Sequence, residues 1–136
     1  MISANDNAPE LKALETLADG TARNALALRL AEAGTPGLPE VLIRMISRED
    51  LLTNRGTLVH SLGYYDCSAH LNFLLGLVIE GGLEVAGEAF EIIDMIEAVD
   101  GEDAELALAS TTEALTKPDL VDWRRAMLED IFEMFE

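Results

Sequence analysis

Apolar residues recur at helical spacing along almost the whole chain, and the sharpest case is Leu83 to Val99. At about 100° per residue, Val85, Ala89, Ile92, Ile93 and Ile96 share one face, while Glu84, Glu88, Glu91 and Asp94 share the other. This predicts a surface helix lying on a core. The acids stand three and four residues apart, and like charges so placed cost roughly 0.2–0.5 kcal/mol per pair. Upstream, Pro9 to Ala18 reads as a short helix ending at Asp19-Gly20, with Gly20 as a left-handed cap. Thr21 caps a helix to Ala33 that turns Leu26, Ala27 and Leu30 inward and stops at Gly34, with Pro36 and Gly37 in the turn. Leu38 to Ser47 follows, with Pro39 in its first turn and Val41, Leu42, Met45 and Ile46 inward. After a break at Ser47 to Asp50, Leu51 to Tyr64 carries Leu58, Val59 and Leu62 inward. Asp66 caps Cys67 to Glu80, which is apolar nearly all round and so is expected to be the most buried helix. Gly81-Gly82 ends it. Beyond the acidic helix, Asp100-Gly101 is a terminator, and Glu102 to Leu115 and Asp119 to Phe135 flank the Lys117-Pro118 joint. The prediction is eight helices in four hairpins, with no strand.

The second helices of successive pairs superpose. Arg23-Asn-Ala-Leu-Ala-Leu-Arg-Leu lies over Arg55-Gly-Thr-Leu-Val-His-Ser-Leu at a shift of 32, and Ala86-Gly-Glu-Ala-Phe-Glu-Ile-Ile follows after another 31. Leu26, Leu58 and Ala89 then coincide, as do Leu30, Leu62 and Ile93. A period in the low thirties with two helices per unit is the mark of an α-solenoid. Over Thr21 to Val99 the chain resembles the HEAT-repeat family. Leu38-Pro39-x-Val41-Leu42 matches its first helix, and Arg55-x-x-Leu58-Val59-x-x-Leu62-Gly63 matches its second. Thr53-Asn54 replace the usual aspartate and valine, and Ala86 stands where the third unit would have Arg. The resemblance implies an all-α, short right-handed α-solenoid of about four antiparallel hairpins, residues 1–136 forming one HEAT-like domain. It also implies a binding scaffold whose second helices line a concave face.

Composition narrows the picture. At 136 residues the chain can bury a core without disulfides, and its single cysteine, Cys67, fits a reducing, cytoplasmic compartment. MISANDNAPELK has no basic start and no apolar run of the kind a leader carries, and Leu71 to Ile79 is too short to span a bilayer. The formal net charge of −17 argues against nucleic acid or an anionic membrane as partner. The excess is unevenly placed: Met1 to Ile79 sums to −3 and Glu80 to Glu136 to −14. That asymmetry reads either as solubility or as a face built for a cationic partner.

Candidate chemistry is sparse. His60, Asp66, Cys67 and His70 fall within eleven residues and offer zinc ligands, or a thiol activated at a helix N-terminus beside a histidine. The plainer reading makes Asp66 a cap, Cys67 an interior residue and the histidines half-buried, so no metal or other cofactor is assigned. No glycine-rich phosphate loop, HExxH or nucleophile elbow is present. His60 is followed by Ser61 and His70 by Leu71, unlike the His-Glu iron ligands of deoxyhypusine-hydroxylase-like HEAT proteins. An acidic concave face is equally unlike the basic one of alkylpurine-DNA-glycosylase-like proteins.

The leading expectation is a non-enzymatic acidic domain that binds a basic protein, most specifically an immunity protein neutralising a toxin such as a nuclease. Its expected contacts are Glu84, Glu88, Glu91, Asp94 and Glu97, with Tyr64 as an aromatic anchor and Glu102, Asp103 and Glu105 as rim. A HEAT-like scaffold or regulatory adaptor holding a peptide in an apolar groove is the alternative, and an enzyme centred on Cys67 the third.

Overall fold

A computed structural model describes residues 8–51 and 54–136. The leader reading of the N-terminus, and Leu52 and Thr53 of the predicted fourth helix and repeat, lie outside the described residues. Those described are all-helical, without a strand: α1 (Ala8–Thr16), α2 (Gly20–Glu32), α3 (Leu38–Ile46), α4 (Gly56–Leu62), α5 (Leu71–Glu80), α6 (Leu83–Met95), α7 (Gly101–Leu115) and α8 (Asp122–Phe135), with 3-10 turns at Glu49–Leu51 and Ser68–His70. The chain divides into two compact units, Met1–Tyr65 and Asp66–Glu136.

In the first unit, α4 packs against α2 and α3, and α1 against both of those helices. The predicted inward residues Val41, Leu42, Met45, Ile46, Leu58, Val59 and Leu62 are buried, together with Leu14, Ala27 and Leu30. Leu26 is only half-buried. The end of α2 is a Schellman motif: Gly34 at φ 67° donates to Ala31 O (2.9 Å), and Thr35 N–H donates to Leu30 O (3.0 Å). Its start differs from expectation. Asp19, not Thr21, is the cap, its carboxylate accepting from Thr21 N–H at 3.0 Å, and Gly20 is the first helical residue instead of a left-handed terminator.

The fourth helix is shorter than predicted. Arg48 grips Asp50 through Nε (3.0 Å) and Nη2 (2.6 Å), Glu49–Leu51 forms its own 3-10 turn, and regular helix resumes at Gly56. Asp, Asn and Gly are poor helix formers, and Asp50, Asn54 and Gly56 crowd this stretch. Arginines close the free carbonyl ends of neighbouring helices: Arg48 Nη1 donates to Glu15 O (2.9 Å) and Arg55 Nη1 to Ile46 O (3.0 Å). Arg23 does no such work. It is buried, and among the described residues its Nε and Nη1 have no hydrogen-bond partner.

In the second unit, α5 packs against α6, α7 and α8. Leu71, Leu74, Leu75, Leu77 and Val78 are buried, and the rest of Leu71 to Ile79 is half-buried, as an all-round apolar helix requires. Asp66 does not open it. Its carboxylate accepts from Ser68 N–H (3.0 Å), which starts the 3-10 turn, and α5 begins at Leu71 instead of Cys67. On α6, Val85, Ala89, Ile92 and Ile93 are buried, as the spacing predicts. The helix stops at Met95, four residues early, with Ile96 in extended backbone. Asp94 and Glu97 sit at the carbonyl end, where the helix dipole disfavours anions, and no base stands in the last turn. Asp100, read as a terminator, is instead the N-cap of α7, and Glu102 and Asp103 fill the first turn, where acids are favoured. Arg124 Nη1 donates to Val78 O at 2.6 Å, tying α8 to the last turns of α5.

The two glycines between α5 and α6 are unequal. A Cβ on Gly81 would stand 2.5 Å from Leu77 O and 3.0 Å from Val85 Cγ1, whereas one on Gly82 meets nothing within 4 Å. Gly81→Ala is therefore expected to destabilise by roughly 1–3 kcal/mol, and Gly82→Ala to be neutral or mildly stabilising, in urea unfolding. Arg23→Met should raise stability by ~1 kcal/mol, because it removes buried donors that have no hydrogen-bond partner among the described residues; a comparable loss would show the guanidinium to be paired.

Candidate functional site

The acidic helix α6 is built from its buried side outward. With Val85, Ala86, Ala89, Ile92 and Ile93 inward, Glu84, Glu91 and Asp94 are left exposed, and Glu88 is half-buried with an interaction of its own. Leu83 and Met95, 58% and 61% exposed, bracket the stripe at the two ends of the helix. Glu97 is exposed but lies past the helix end, so it is not a fifth member of the stripe. Glu102 and Glu105 are exposed on α7, and Asp103 is half-buried.

Asp103 takes part in a feature that periodicity did not show. Ser68, Ala69, Ala98, Val99, Asp100 and Asp103 line an open cleft of about 320 Å³ between the 3-10 turn and the α6–α7 connection. Asn72 Nδ2 donates to Asp103 O (3.1 Å) and holds the first turn of α7 against α5. The only sequence signal for this site is Asp100 ahead of Gly-Glu-Asp, which marks a helix start and not a cavity.

Charge in this unit is little offset. Asp66–Glu136 holds 18 acids and three bases. Arg124 donates to Val78 O and stands 4.6 Å from the Trp123 ring centroid, and Arg125 donates to Lys117 O. These two cations serve carbonyls and a ring in preference to carboxylates. In the first unit, by contrast, Arg29, Arg44 and Arg48 form ion pairs with Glu10, Glu15 and Asp50. Arg48 holds the Asp50 carboxyl below its ordinary pKa.

Tyr64, the expected anchor, is 49% exposed just beyond α4, its ring edge-on to His60 with centroids 5.9 Å apart. Tyr65 is instead committed: its hydroxyl donates to Thr35 O at 2.9 Å, and burial raises its pKa.

The constellation of His60, Asp66, Cys67 and His70 is divided between the two units. His60 belongs to the first unit and the other three to the second. The Asp66 carboxylate is engaged with Ser68, whose N–H lowers its pKa. Among the described residues no three His, Cys, Asp or Glu side chains are grouped to hold a metal ion. Cys67 is 3% exposed, and burial with the nearby Asp66 charge pushes its thiol up to about 11. An activated nucleophile requires the opposite shift.

Comparison with known protein families, curated proteins and solved structures finds no match to this chain. Among the described residues no helix is long and apolar enough to cross a membrane.

The Cys67 geometry makes a direct prediction. With the thiol raised from about 9 to about 11, the folded protein should react with DTNB at pH 8 about a hundredfold more slowly than the unfolded chain. A folded pKa above the unfolded one gives stability that is complete below pH 9 and lost as pH rises towards 11. Cys67→Ala should remove that segment of the pH–stability curve.

Proposed function

We propose that this chain is a non-enzymatic acidic domain that binds a basic protein, and most specifically an immunity protein that neutralises a cationic toxin such as a nuclease in the cytoplasm. The observation that carries this reading is the second unit's 18 acids against three bases, with Glu84, Glu91 and Asp94 exposed along one helix. A nuclease presents a basic cleft to its substrate. An acidic inhibitor is steered to that cleft, associates quickly, and competes with phosphates for the same surface. The register of Leu26 with Leu58 and of Leu30 with Leu62 supports reading the helices as HEAT-like hairpins that display such a face.

A second reading, an adaptor that holds a peptide through apolar contacts, draws on exposed Leu83, Met95 and Leu106. Salt separates the two. A charge-driven complex weakens as ionic strength rises, whereas an apolar one persists.

Glu84→Lys combined with Glu91→Lys is expected to slow association with the captured partner by about tenfold or more at low salt, with unchanged circular dichroism and thermal midpoint. The partner itself is obtained by affinity capture from the source cells at low salt and stepwise salt elution. A stoichiometric basic protein released by moderate salt supports the inhibitor reading, and one retained through high salt supports the adaptor.

A further inference from the structure

We infer that Arg23, Asn24, Asn54 and Arg55, gathered at the N-terminal end of α2, form a binding site for one inorganic phosphate ion. The site centres on Gly20. A Cβ built there would collide with Asn54 Nδ2 and stand 3.8 Å from Arg23 Nη2, so an amide and a guanidinium converge where a side chain is missing. Arg23 is only 6% exposed, and among the described residues its Nε and Nη1 are enclosed without a hydrogen-bond partner. A buried charge in that state is costly until an opposite charge with acceptor oxygens meets it. The guanidinium therefore calls for an anion. None of this depends on the basic partner proposed above.

Local geometry gathers positive charge and donors at this end. Arg23 stands in the first turn of α2, and helical side chains lean towards the N-terminus, which returns its guanidinium to Gly20. There the first-turn amides and the helix dipole add partial positive charge. Asn24 Nδ2 donates to Asn54 Oδ1 at 3.3 Å, which leaves the Asn54 amino group as the donor directed at Gly20. Arg55, next in the chain, spends Nη1 on Ile46 O (3.0 Å) and keeps an enclosed Nε without a partner among the described residues. The acids at hand are already engaged. Asp19 accepts from Thr21 N–H (3.0 Å), and Asp50, which feels the charge of Arg23, is gripped by Arg48 at 3.0 and 2.6 Å. The site also lies in the part of the chain, Met1 to Ile79, that sums to only −3.

One further atom selects among oxyanions. Asn24 Oδ1 is enclosed and has no partner among the described residues, an acceptor in a group made mostly of donors. Phosphate near neutral pH offers oxygens to the arginines and one hydroxyl to donate to that acceptor, whereas sulfate is acceptor-only. Because the unpartnered atoms are closed off from solvent, the fit is to the free ion and not to an ester carrying an organic tail. Asn54 is exposed, so rotation of that one side chain admits the ion.

The test is a titration of the uniformly ¹⁵N-labelled full chain with inorganic phosphate, at an ionic strength held constant with chloride. Saturable shifts are expected at the amides of Gly20, Ala22 and Asn24 and at the Arg23 Nε–H, with half-saturation below about 10 mM. Sulfate and glycerol 3-phosphate should bind roughly fivefold or more weakly, the one for want of a hydroxyl and the other for its tail. Phosphate should also raise the thermal midpoint, as a ligand of the folded state does. Arg23→Met should lose both responses. Asn54→Asp places a carboxylate at the site itself while keeping the acceptor for Asn24, so it should raise the midpoint in phosphate-free buffer and lose the phosphate response.

The site is overturned if phosphate gives no saturable shift at these groups, if chloride alone reproduces the shifts, or if Arg23→Met keeps the full response. Sulfate or glycerol 3-phosphate binding as tightly as phosphate overturns the free phosphate ion as occupant. Should Arg23→Met fail to fold, Asn54→Asp decides alone, and undiminished phosphate affinity in that variant counts against the site.

Discussion

An apolar helix with no polar side must be covered all round. In the second unit that helix is α5, whose Leu71, Leu74, Leu75, Leu77 and Val78 leave no face that water can occupy without loss. Three helices meet this demand, α6, α7 and α8, each turning a narrow apolar stripe inward: Val85, Ala89 and Ile93 from α6, Ala107 and Ala114 from α7, Leu128 and Ile131 from α8. Small residues on α7 allow close approach, and larger ones on the others fill the space between. The outer faces are then free of packing duty. Acids occupy them at Glu84, Glu91 and Asp94 on α6, Glu105 and Glu113 on α7, and Glu129, Asp130 and Glu133 on α8.

The two units handle their cations differently. In the first, arginines tie helix ends together, Arg48 on Glu15 O and Arg55 on Ile46 O, and pair with acids at the surface. Those surface pairs add little stability by themselves. Their effect on the electrostatic field is larger, because each cancels a carboxylate. In the second unit the same residue type is turned inward, with Arg124 on Val78 O and against Trp123, so its charge offsets few of the surrounding acids. A sequence tally of charge counts both kinds of arginine alike. The structure shows that position decides which charges the field retains.

Periodicity made the helical class, the helix faces and most of the core legible, because burial repeats every three or four residues and the chain displays that repeat plainly. The joints were less legible, because they turn on competition between adjacent polar residues. Asp19 and Thr21 are both good caps, and the hydrogen bond from Thr21 N–H to Asp19 decides between them. Asp66 accepts from Ser68 N–H ahead of a 3-10 turn and does not open α5. The α6 stripe was visible as Glu84, Glu88, Glu91 and Asp94, but Glu97 could not be excluded from it without the early stop at Met95. Past that stop, the non-helical Ala98, Val99 and Asp100 line the cleft. A continuous helix to Val99 would have aimed them along its own surface.

Charge spread over three helices attracts cations from many directions and selects among them poorly. Long-range steering raises the encounter rate of any basic protein, and salt at physiological strength screens much of it beyond about 8 Å. Selectivity therefore has to arise where a carboxylate is joined to shape. On α6 that junction is Leu83 and Met95 at the ends of the acid stripe, exposed apolar groups that a partner must cover to gain from them. A cation held by charge alone is held weakly, whereas one whose apolar stem also packs exchanges water for contact and departs more slowly. On the binding reading proposed above, the acids would set how fast a partner arrives and apolar contacts of this kind which partner stays.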